Sequence, residues 1–478
     1  MPSLAQAMSN IRSFEDQIAT SVEDDLFSAE TPLYISRAPG RLDVMGGNVD
    51  YTGGTVLQGL LREATWVAAQ ARSDEVIRIV NPGAKQFGWD TRFEALMSDL
   101  SDVDRVRALC KSQPGSVWVC YILGALYFLK NLRGFGEMGG VDLFLASDLP
   151  PNKGVSSSAA LEVAALKAVS AAWGVALYGT ALATAGQWVE NIVVGAACGI
   201  MDQAAIVLGK EGHLLPMLCQ PCLPGALVTL PAGVQLMGID SMAPRSTTST
   251  AYETARAAAF LGYKLICQHE GIEITLEQGG EIPRWTENRW HGHLSNLAPS
   301  EFRAKYERLL PESITGKELL DYGGEHIDPF TKVNPETQYP VRAAVRYAIE
   351  ENLRVQTVRT LLESMAWSGS ESTLPLIGEI VCQSHVAYAE CGLGNEACDE
   401  LVERALKSGL AGAKMTGGGG GGVVAILCRS GEEDTVRSIA EAFGEERGAV
   451  PHIFEGSSDG ADTFGVRVLQ PDFLWRRQ

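Results

Sequence analysis

Residues 150–162 read PPNKGVSSSAALE. Two prolines stop the extended segment before them, Gly154 permits a tight turn, three serines follow, and an Ala/Leu-rich helix begins. That order suits an anion site. The first-turn N–H groups of a helix have no partner inside it, and the helix dipole puts positive potential there. Serine hydroxyls add donors and are oxygen ligands for a hard cation. The ordinary alternative is a serine cap before a buried helix, and the stretch alone leaves both open. No G-x-x-x-x-G-K-[ST] occurs, and G-x-G-x-x-G is matched only trivially inside a glycine run. Neither a P-loop nor a dinucleotide fingerprint is therefore present.

Three further stretches carry chemistry. Residues 40–54, GRLDVMGGNVDYTGG, crowd Arg41, Asp43, Asn48, Asp50 and Tyr51 among glycines, more polar groups than a turn needs. Residues 189–205, VENIVVGAACGIMDQAA, supply Glu190 and Asp202. An aspartate opening an apolar helix is ordinarily a cap, with a catalytic acid the alternative. Residues 412–428, GAKMTGGGGGGVVAILC, place six glycines directly before a strand-like apolar run. Such a run is entropically costly and fits a close backbone approach to a ligand or another loop better than a linker.

Composition narrows the partners. A net charge of −19 over 478 residues argues against nucleic acid and anionic membrane surfaces, which select for Lys and Arg. No run of 18 apolar residues appears, and MPSLAQAMSNIRSFEDQ lacks an apolar core, so neither a membrane helix nor a signal peptide is expected. Ten scattered cysteines in a chain this long do not read as a disulfide framework. Free thiols in a reducing cytoplasm are the expectation. Cys219 and Cys222 form the single C-x-x-C, without the second pair or spaced histidine of a zinc site. His291, His293 and His326 fall in a polar stretch, 270–340, and are expected to be exposed loop residues. Oligomeric state is not encoded in any of these features.

Strand-like runs (33–39, 64–73, 76–82, 140–150, 234–241, 422–428, 463–470) alternate with helix-like ones (117–133, 156–175, 181–196, from about 249, 342–366, 372–391, 431–446). Residues 1–30 read as a polar, helical lead-in. The proline-rich stretch near 213–235 marks a boundary, so the class is mixed α and β in two lobes.

Taken together and in this order, the four stretches resemble the GHMP kinases, on the galactokinase branch. The likeness runs from about residue 31 to the end. Gly40, Arg41, Gly46, Asp50 and Tyr51 match the galactokinase motif G-R-x-N-L-I-G-E-H-x-D-Y, and CGIMDQ (198–203) matches as a block. The resemblance implies an α+β, two-lobed GHMP-kinase fold with the active site between the lobes. Its parts are a lead-in (1–30), an N-terminal sugar and ATP domain (31–225) and a C-terminal domain (226–478). It implies ATP-dependent phosphorylation of a sugar at its anomeric hydroxyl, with Mg²⁺. Asp202 would be the base and Arg41 its orienting partner. Asn152, Lys153, Gly154, Val155, Ser156, Ser157 and Ser158 would wrap the ATP phosphates, with Gly418 and Gly419 nearby. Ser158 and Glu190 would hold Mg²⁺. Gly47, Asn48, Asp50, Gly199 and Tyr252 would meet the sugar.

The sequence departs from the galactokinase pattern in three places. Asn152-Lys153 replaces glycines, and Lys153 is expected to add charge on a phosphate. Gly420 replaces an aromatic residue. Gly47-Asn48 replaces the Glu-His pair that meets the sugar's exocyclic hydroxyl. The L-arabinose ring is D-galactose without that CH₂OH, and a buried carboxylate with no partner is costly, so Gly47 is expected to leave open space there. APGRLDVMGG (38–47), LSNLAP (294–299), LPESITGKELL (310–320) and CGLG (391–394) also resemble the kinase part of the L-arabinokinases. L-arabinose is therefore the expected sugar, with D-galactose or another sugar the alternative. A non-catalytic regulator that binds sugar and ATP is a third reading, opposed by the intact SSSAA, Arg41 and Asp202. Plant arabinokinases carry an additional glycosyltransferase-like N-terminal domain. The chain has no room for one, so a stand-alone kinase is expected.

Overall fold

The computed structural model describes residues 11–21, 26–132, 138–243, 250–277, 284–321 and 326–470. Two β-sheets organise them. In the first, the strands run in the order Arg467–Leu469, Leu33–Met45, Thr55–Ala71, Val141–Ser147, Val76–Val80 and Arg92–Leu96, with His213–Leu218 pairing the near end of Thr55–Ala71. Every pairing along this order is antiparallel except that of Val76–Val80 with Val141–Ser147.

Both faces of this sheet are covered, so its long strands are buried along nearly their whole length rather than on alternate residues. The period of two survives in what each residue touches. Val67 and Ala69 join the core with Val163 and Ala164 of the helix Ser157–Ala172. Trp66 and Ala68 join a second cluster with Phe14 and Ile18 of the helix Ile11–Ser21, Phe14 stacking on Trp66 at 5.5 Å. The helix Ile11–Ser21 of the lead-in is thus amphipathic and docked, not merely polar. Alanine dominates Ser157–Ala172, and its small side chains let the helix lie close on the strands that carry Arg41.

The second sheet has the order Gly412–Met415, Val423–Arg429, Val234–Asp240 and Ile453–Glu455, all antiparallel. Helices Leu374–Glu390, Glu396–Lys407 and Glu433–Glu445 pack on it. The chain's last strand does not stay with this sheet. Leu469 pairs with Leu33, so residues 467–469 of the expected C-terminal domain complete the first sheet.

Trp290, Phe302 and Tyr306 of the polar stretch 270–340 are buried in the main core, together with residues of the helices Thr250–His269 and Val341–Ser368. His326 is buried there and accepts from the Asp328 N–H at 3.1 Å, correcting the expectation of an exposed histidine. Cys110 and Cys120 form a disulfide, their Cα atoms 5.4 Å apart, which corrects the expectation of free thiols throughout, whereas Cys219 and Cys222 are not disulfide-bonded. No helix among the described residues is long and apolar enough to cross a membrane.

Candidate active site

Arg41, Asp43 and Asp50 lie within ten residues of chain but go to three different places. Arg41, 1% exposed, donates from Nε at 2.9 Å and from Nη2 at 2.5 Å to a single oxygen, Asp202 Oδ1. Its third nitrogen, Nη1, donates to the Gly154 carbonyl at 2.6 Å. One guanidinium therefore ties Asp202, at the start of the helix Met201–Leu208, to the loop before Ser157–Ala172. Asp202 is 21% exposed, and its Oδ2 accepts no hydrogen bond from the described residues.

Asp43 is fully buried. Its Oδ2 pairs with Lys414 Nζ at 3.0 Å and its Oδ1 accepts from Gln58 at 2.7 Å. The pair ties Leu33–Met45 to Gly412–Met415, the strand leading into the glycine run. Asp50 accepts from the Tyr51 N–H at 2.9 Å and the Met201 N–H at 3.3 Å. Burial, then the charge of Asp202, pushes its carboxyl up to about 6. Gly199 is required at its position, because a Cβ there would stand 1.8 Å from Asp50 Oδ2.

The loop before Ser157–Ala172 places Asn152, Gly154 and Ser156 at positive φ, 60°, 76° and 61°. Alternation of such residues curls successive N–H groups toward one side, an anion-binding geometry. The Ser156 hydroxyl is buried without a hydrogen-bond partner, an orphan that a ligand oxygen would satisfy. Lys153 is directed elsewhere. Its Nζ pairs with Asp240 Oδ2 at 3.0 Å, across to the second sheet, so the expected phosphate charge is committed to an acid.

Ser158 donates to Glu190 Oε1 at 3.0 Å, and Gln203 Nε2 donates to Glu190 Oε2 at 2.7 Å and to Glu162 Oε2 at 3.1 Å. Burial and the nearby Asp202 charge push the Glu190 carboxyl up to about 7. Among the described residues no three His, Cys, Asp or Glu side chains group as a ligand set. A hydroxyl and one carboxylate fit Mg²⁺, which takes few protein ligands and fills its shell with phosphate oxygens and water.

Two cavities meet at Asp202. The larger is lined at one end by Phe87, Trp89, Trp118 and Tyr121 and at the other by Asn152, Gly154 and Ser156–Ser158. An aromatic end and an amide-rich end suit a flat heteroaromatic ring joined to an anion. The smaller is lined by Arg41, Asp50, Gly199, Asp202, Tyr252 and Gly418, among others. The aromatic end was not legible in the sequence. Phe87, Trp89 and Trp118 lie in connectors and single short turns and Tyr121 at the start of a helix, and they converge only in the fold, so no spacing marks them. Lys414 was likewise missed, although a lysine entering a strand just before six glycines is a visible oddity.

The glycine run is a tight turn, with Gly417, Gly419, Gly420, Gly421 and Gly422 all at positive φ. Gly418 lines the smaller cavity, whereas Gly419 leans on Leu393 and Gly420 donates to the Leu393 carbonyl at 2.8 Å. Asn48 (φ 59°) is buried and donates to the Gly418 carbonyl at 3.1 Å. Gly47 does not leave open space. A Cβ there would lie 2.3 Å from the Tyr388 hydroxyl, 2.5 Å from Asp43 Oδ2 and 2.9 Å from the Gly417 carbonyl. The Tyr388 hydroxyl donates to Gly417 and the Tyr347 hydroxyl to Gly47, holding both loops. The Gly47→Ala variant is therefore expected to lose about 1–3 kcal/mol of stability by overpacking. An unchanged urea midpoint would mean that Tyr388 yields freely.

Residues 120–210 match the model of the GHMP kinases N terminal domain, residues 24–71 the galactokinase galactose-binding signature, and residues 361–447 the GHMP kinases C terminal model. The chain is 30% identical to a galactokinase of Chloroflexus aggregans, over 82% of this chain and 83% of that one. It is 33% identical to the L-arabinokinase of Arabidopsis thaliana over 92% of this chain, and spans 47% of that relative's length. The crystal structure of Lactococcus lactis galactokinase complexed with galactose superposes with a TM-score of 0.72 at 20% identity, covering 93% of this chain and 98% of that one. The chain belongs to the GHMP kinase family, on its galactokinase branch.

Proposed function

We propose that the chain is an ATP-dependent sugar 1-kinase whose favoured acceptor is L-arabinose. The observation that carries the kinase reading is that Asp202, its Oδ1 held by Arg41, lines both cavities. The sugar reading rests on the likeness to the L-arabinokinase.

In this reading the purine of ATP lies at the aromatic end and the phosphates at the loop 152–158. The sugar lies against Asp50, Gly199 and Tyr252, with Asn48 and Gly47 behind it holding the glycine turn. Asp202 Oδ2 accepts the proton of the anomeric hydroxyl, whose oxygen bonds to the γ-phosphorus as the bond to the ADP oxygen breaks. Arg41 fixes Asp202 and balances charge in the transition state. Phosphoryl transfer needs little more than such positioning and charge balance. Ser158 and Glu190 would hold Mg²⁺, which supplies charge neutralisation on the phosphates. The variants Ser158→Ala and Glu190→Gln are accordingly expected to raise the Mg²⁺ concentration needed for half-maximal rate. An unchanged requirement in both would leave Ser158 as a partner of Glu190 only.

A second reading, galactokinase, is favoured by the match of residues 24–71 to the galactose-binding signature. The deciding experiment compares kcat/KM for arabinose, galactose, fucose, xylose and glucuronate with Mg-ATP. A preference for galactose would overturn the arabinose reading and leave the kinase reading intact. Turnover of none of them would remove both.

A further inference from the structure

The helix Thr250–His269 presents Tyr252, Arg256 and Phe260 at i, i+4 and i+8, one face of the helix. Arg256 is 3% exposed. Its Nε and Nη2 each donate at 2.9 Å to one oxygen of Asp328, a two-point fork onto the segment 270–340. Asp328 is held on its own account. Its Oδ2 accepts from Thr331 Oγ1 at 2.6 Å, and its N–H donates to His326. The guanidinium carbon lies 4.8 Å from the ring centre of Tyr51, 5.6 Å from Phe260 and 5.5 Å from Phe330. A desolvated cation against aromatic faces is attractive and fixes the ring planes. Tyr51 meets Tyr252 edge-on at 6.0 Å, and its N–H donates to Asp50 Oδ1.

The contacts therefore run from the loop 326–331 through Arg256 to Asp50 and Tyr252, the two side chains placed at the sugar. Arg256 does not line the nucleotide cavity. A third cavity shares Asp50, Cys198 and Gly199 with the sugar cavity and is also lined by Arg256, Trp285, Asp328 and Phe330. Asp50 and Gly199 thus border both cavities, and Trp285, Asp328 and Phe330 of the segment 270–340 line the third one with Arg256. Gly47, by contrast, is packed between Tyr388 and Gly417.

We infer that Arg256, locked by Asp328, is a positioning residue that sets the shape of the sugar pocket, so that the segment 270–340 and not position 47 selects the acceptor. The inference rests on the sugar-kinase reading. It also fixes the electrostatics around Asp50. Asp50 faces Asp202, Arg256, Tyr51, Tyr252, Cys198 and Cys219. Arg256 is the cation of that group and lowers the Asp50 carboxyl against the burial and the Asp202 charge that raise it. An ionised Asp50 accepts from sugar hydroxyls, so sugar affinity falls as pH drops through its titration. Removing the Arg256 charge moves that fall to higher pH.

The test compares Arg256→Met, Arg256→Lys and Asp328→Asn with the wild type. Arg256→Met is expected to raise KM for the sugar about tenfold, to change the arabinose-to-galactose ratio, and to leave KM for ATP within about twofold. The pH midpoint of its sugar KM is expected to rise. Arg256→Lys keeps the charge without the fork, so it is expected to restore the pH midpoint with an intermediate KM. Asp328→Asn, which keeps the shape of the acid, is expected to raise the sugar KM and change the ratio to a smaller extent than Arg256→Met, without raising the pH midpoint, because the Arg256 charge remains. An unchanged sugar KM and ratio would overturn the inference. So would equal rises in sugar and ATP KM, or failure of both Arg256→Met and Asp328→Asn to fold, since the pair would then serve stability alone. Absence of turnover in the wild type would sink the kinase reading instead. Sugar titration calorimetry on the same variants would then still test the positioning role.

Discussion

Asp202→Asn is expected to lower kcat by about a hundredfold or more, the usual size for loss of a group that handles a proton in the transition state. The substitution is chosen to leave the structure standing. The amide oxygen of the introduced asparagine can take the place of Oδ1 and accept from Arg41 Nε and Nη2, so the guanidinium, buried and tied to the Gly154 carbonyl, keeps its partners. The loop 152–158 then keeps its shape, and binding of ATP or a non-hydrolysable analogue is expected within about twofold of wild type. What changes is the second atom, from an acceptor oxygen to an NH₂ group, which in the proposed reading can no longer take the proton of the sugar hydroxyl. Single-turnover rates and nucleotide titration on the same protein check both halves. A variant with near-normal kcat would show that Asp202 neither takes the proton nor orients the hydroxyl. A variant that loses ATP binding as well would place Asp202 with the loop rather than with the acceptor.

Lys414→Met is expected to cost about 3–5 kcal/mol of stability, the range for breaking a buried ion pair from one side. Asp43 and Lys414 are both essentially inaccessible to water, and the pair joins one sheet to the other beneath the glycine turn. Methionine fills the space of the lysine stem but leaves Asp43 with only Gln58 on its Oδ1 and no cation. The cost is that of the stranded charge, not the net worth of the pair, and a double variant tests this. Asp43→Asn with Lys414→Met carries no buried charge and is expected to recover much of the loss. Equilibrium unfolding in urea reads both variants. A Lys414→Met midpoint equal to that of the wild type would mean that water reaches Asp43. A double variant no better than the single would assign the loss to packing against Tyr388, whose ring lies 5.4 Å from the Lys414 nitrogen.

Both predictions concern charges close together in the chain and far apart in their partners, and this is where the sequence reading was thinnest. Arg41, Asp43 and Asp50 read as one crowded polar motif. The fold sends them to Asp202, to Lys414 and to the backbone of Met201. Gly47 read as an opening in the sugar pocket, because a missing side chain looks like space when the neighbours are unknown. Tyr388 and Gly417 fill it. Lys153 read as a phosphate ligand, and Asp240 takes it.

Local interactions set what the sequence alone determined. Proline, glycine and serine in PPNKGVSSSAALE specify a turn and a helix start, which leaves an anion site and a plain helix start both open; only with CGIMDQ and the glycine run does the stretch point to the family. The curl itself, with Asn152 and Ser156 at positive φ and no serine cap on the helix, came from the fold. The strands and helices between them follow from apolar periodicity over a few residues. The tertiary structure decided which side chains face which cavity. Trp89 and Trp118 line one cavity because their connectors are hydrogen-bonded to each other, Trp118 Nε1 donating to the Asp90 carbonyl. Asp328 reaches Arg256 from a segment whose composition reads only as polar. The closing strand at 467–469 returns to Leu33 instead of staying with its own half. Contacts of this kind join residues tens to hundreds of positions apart. They leave no period or spacing in the chain, since burial and complementary charge select them only once the sheets have brought their elements together.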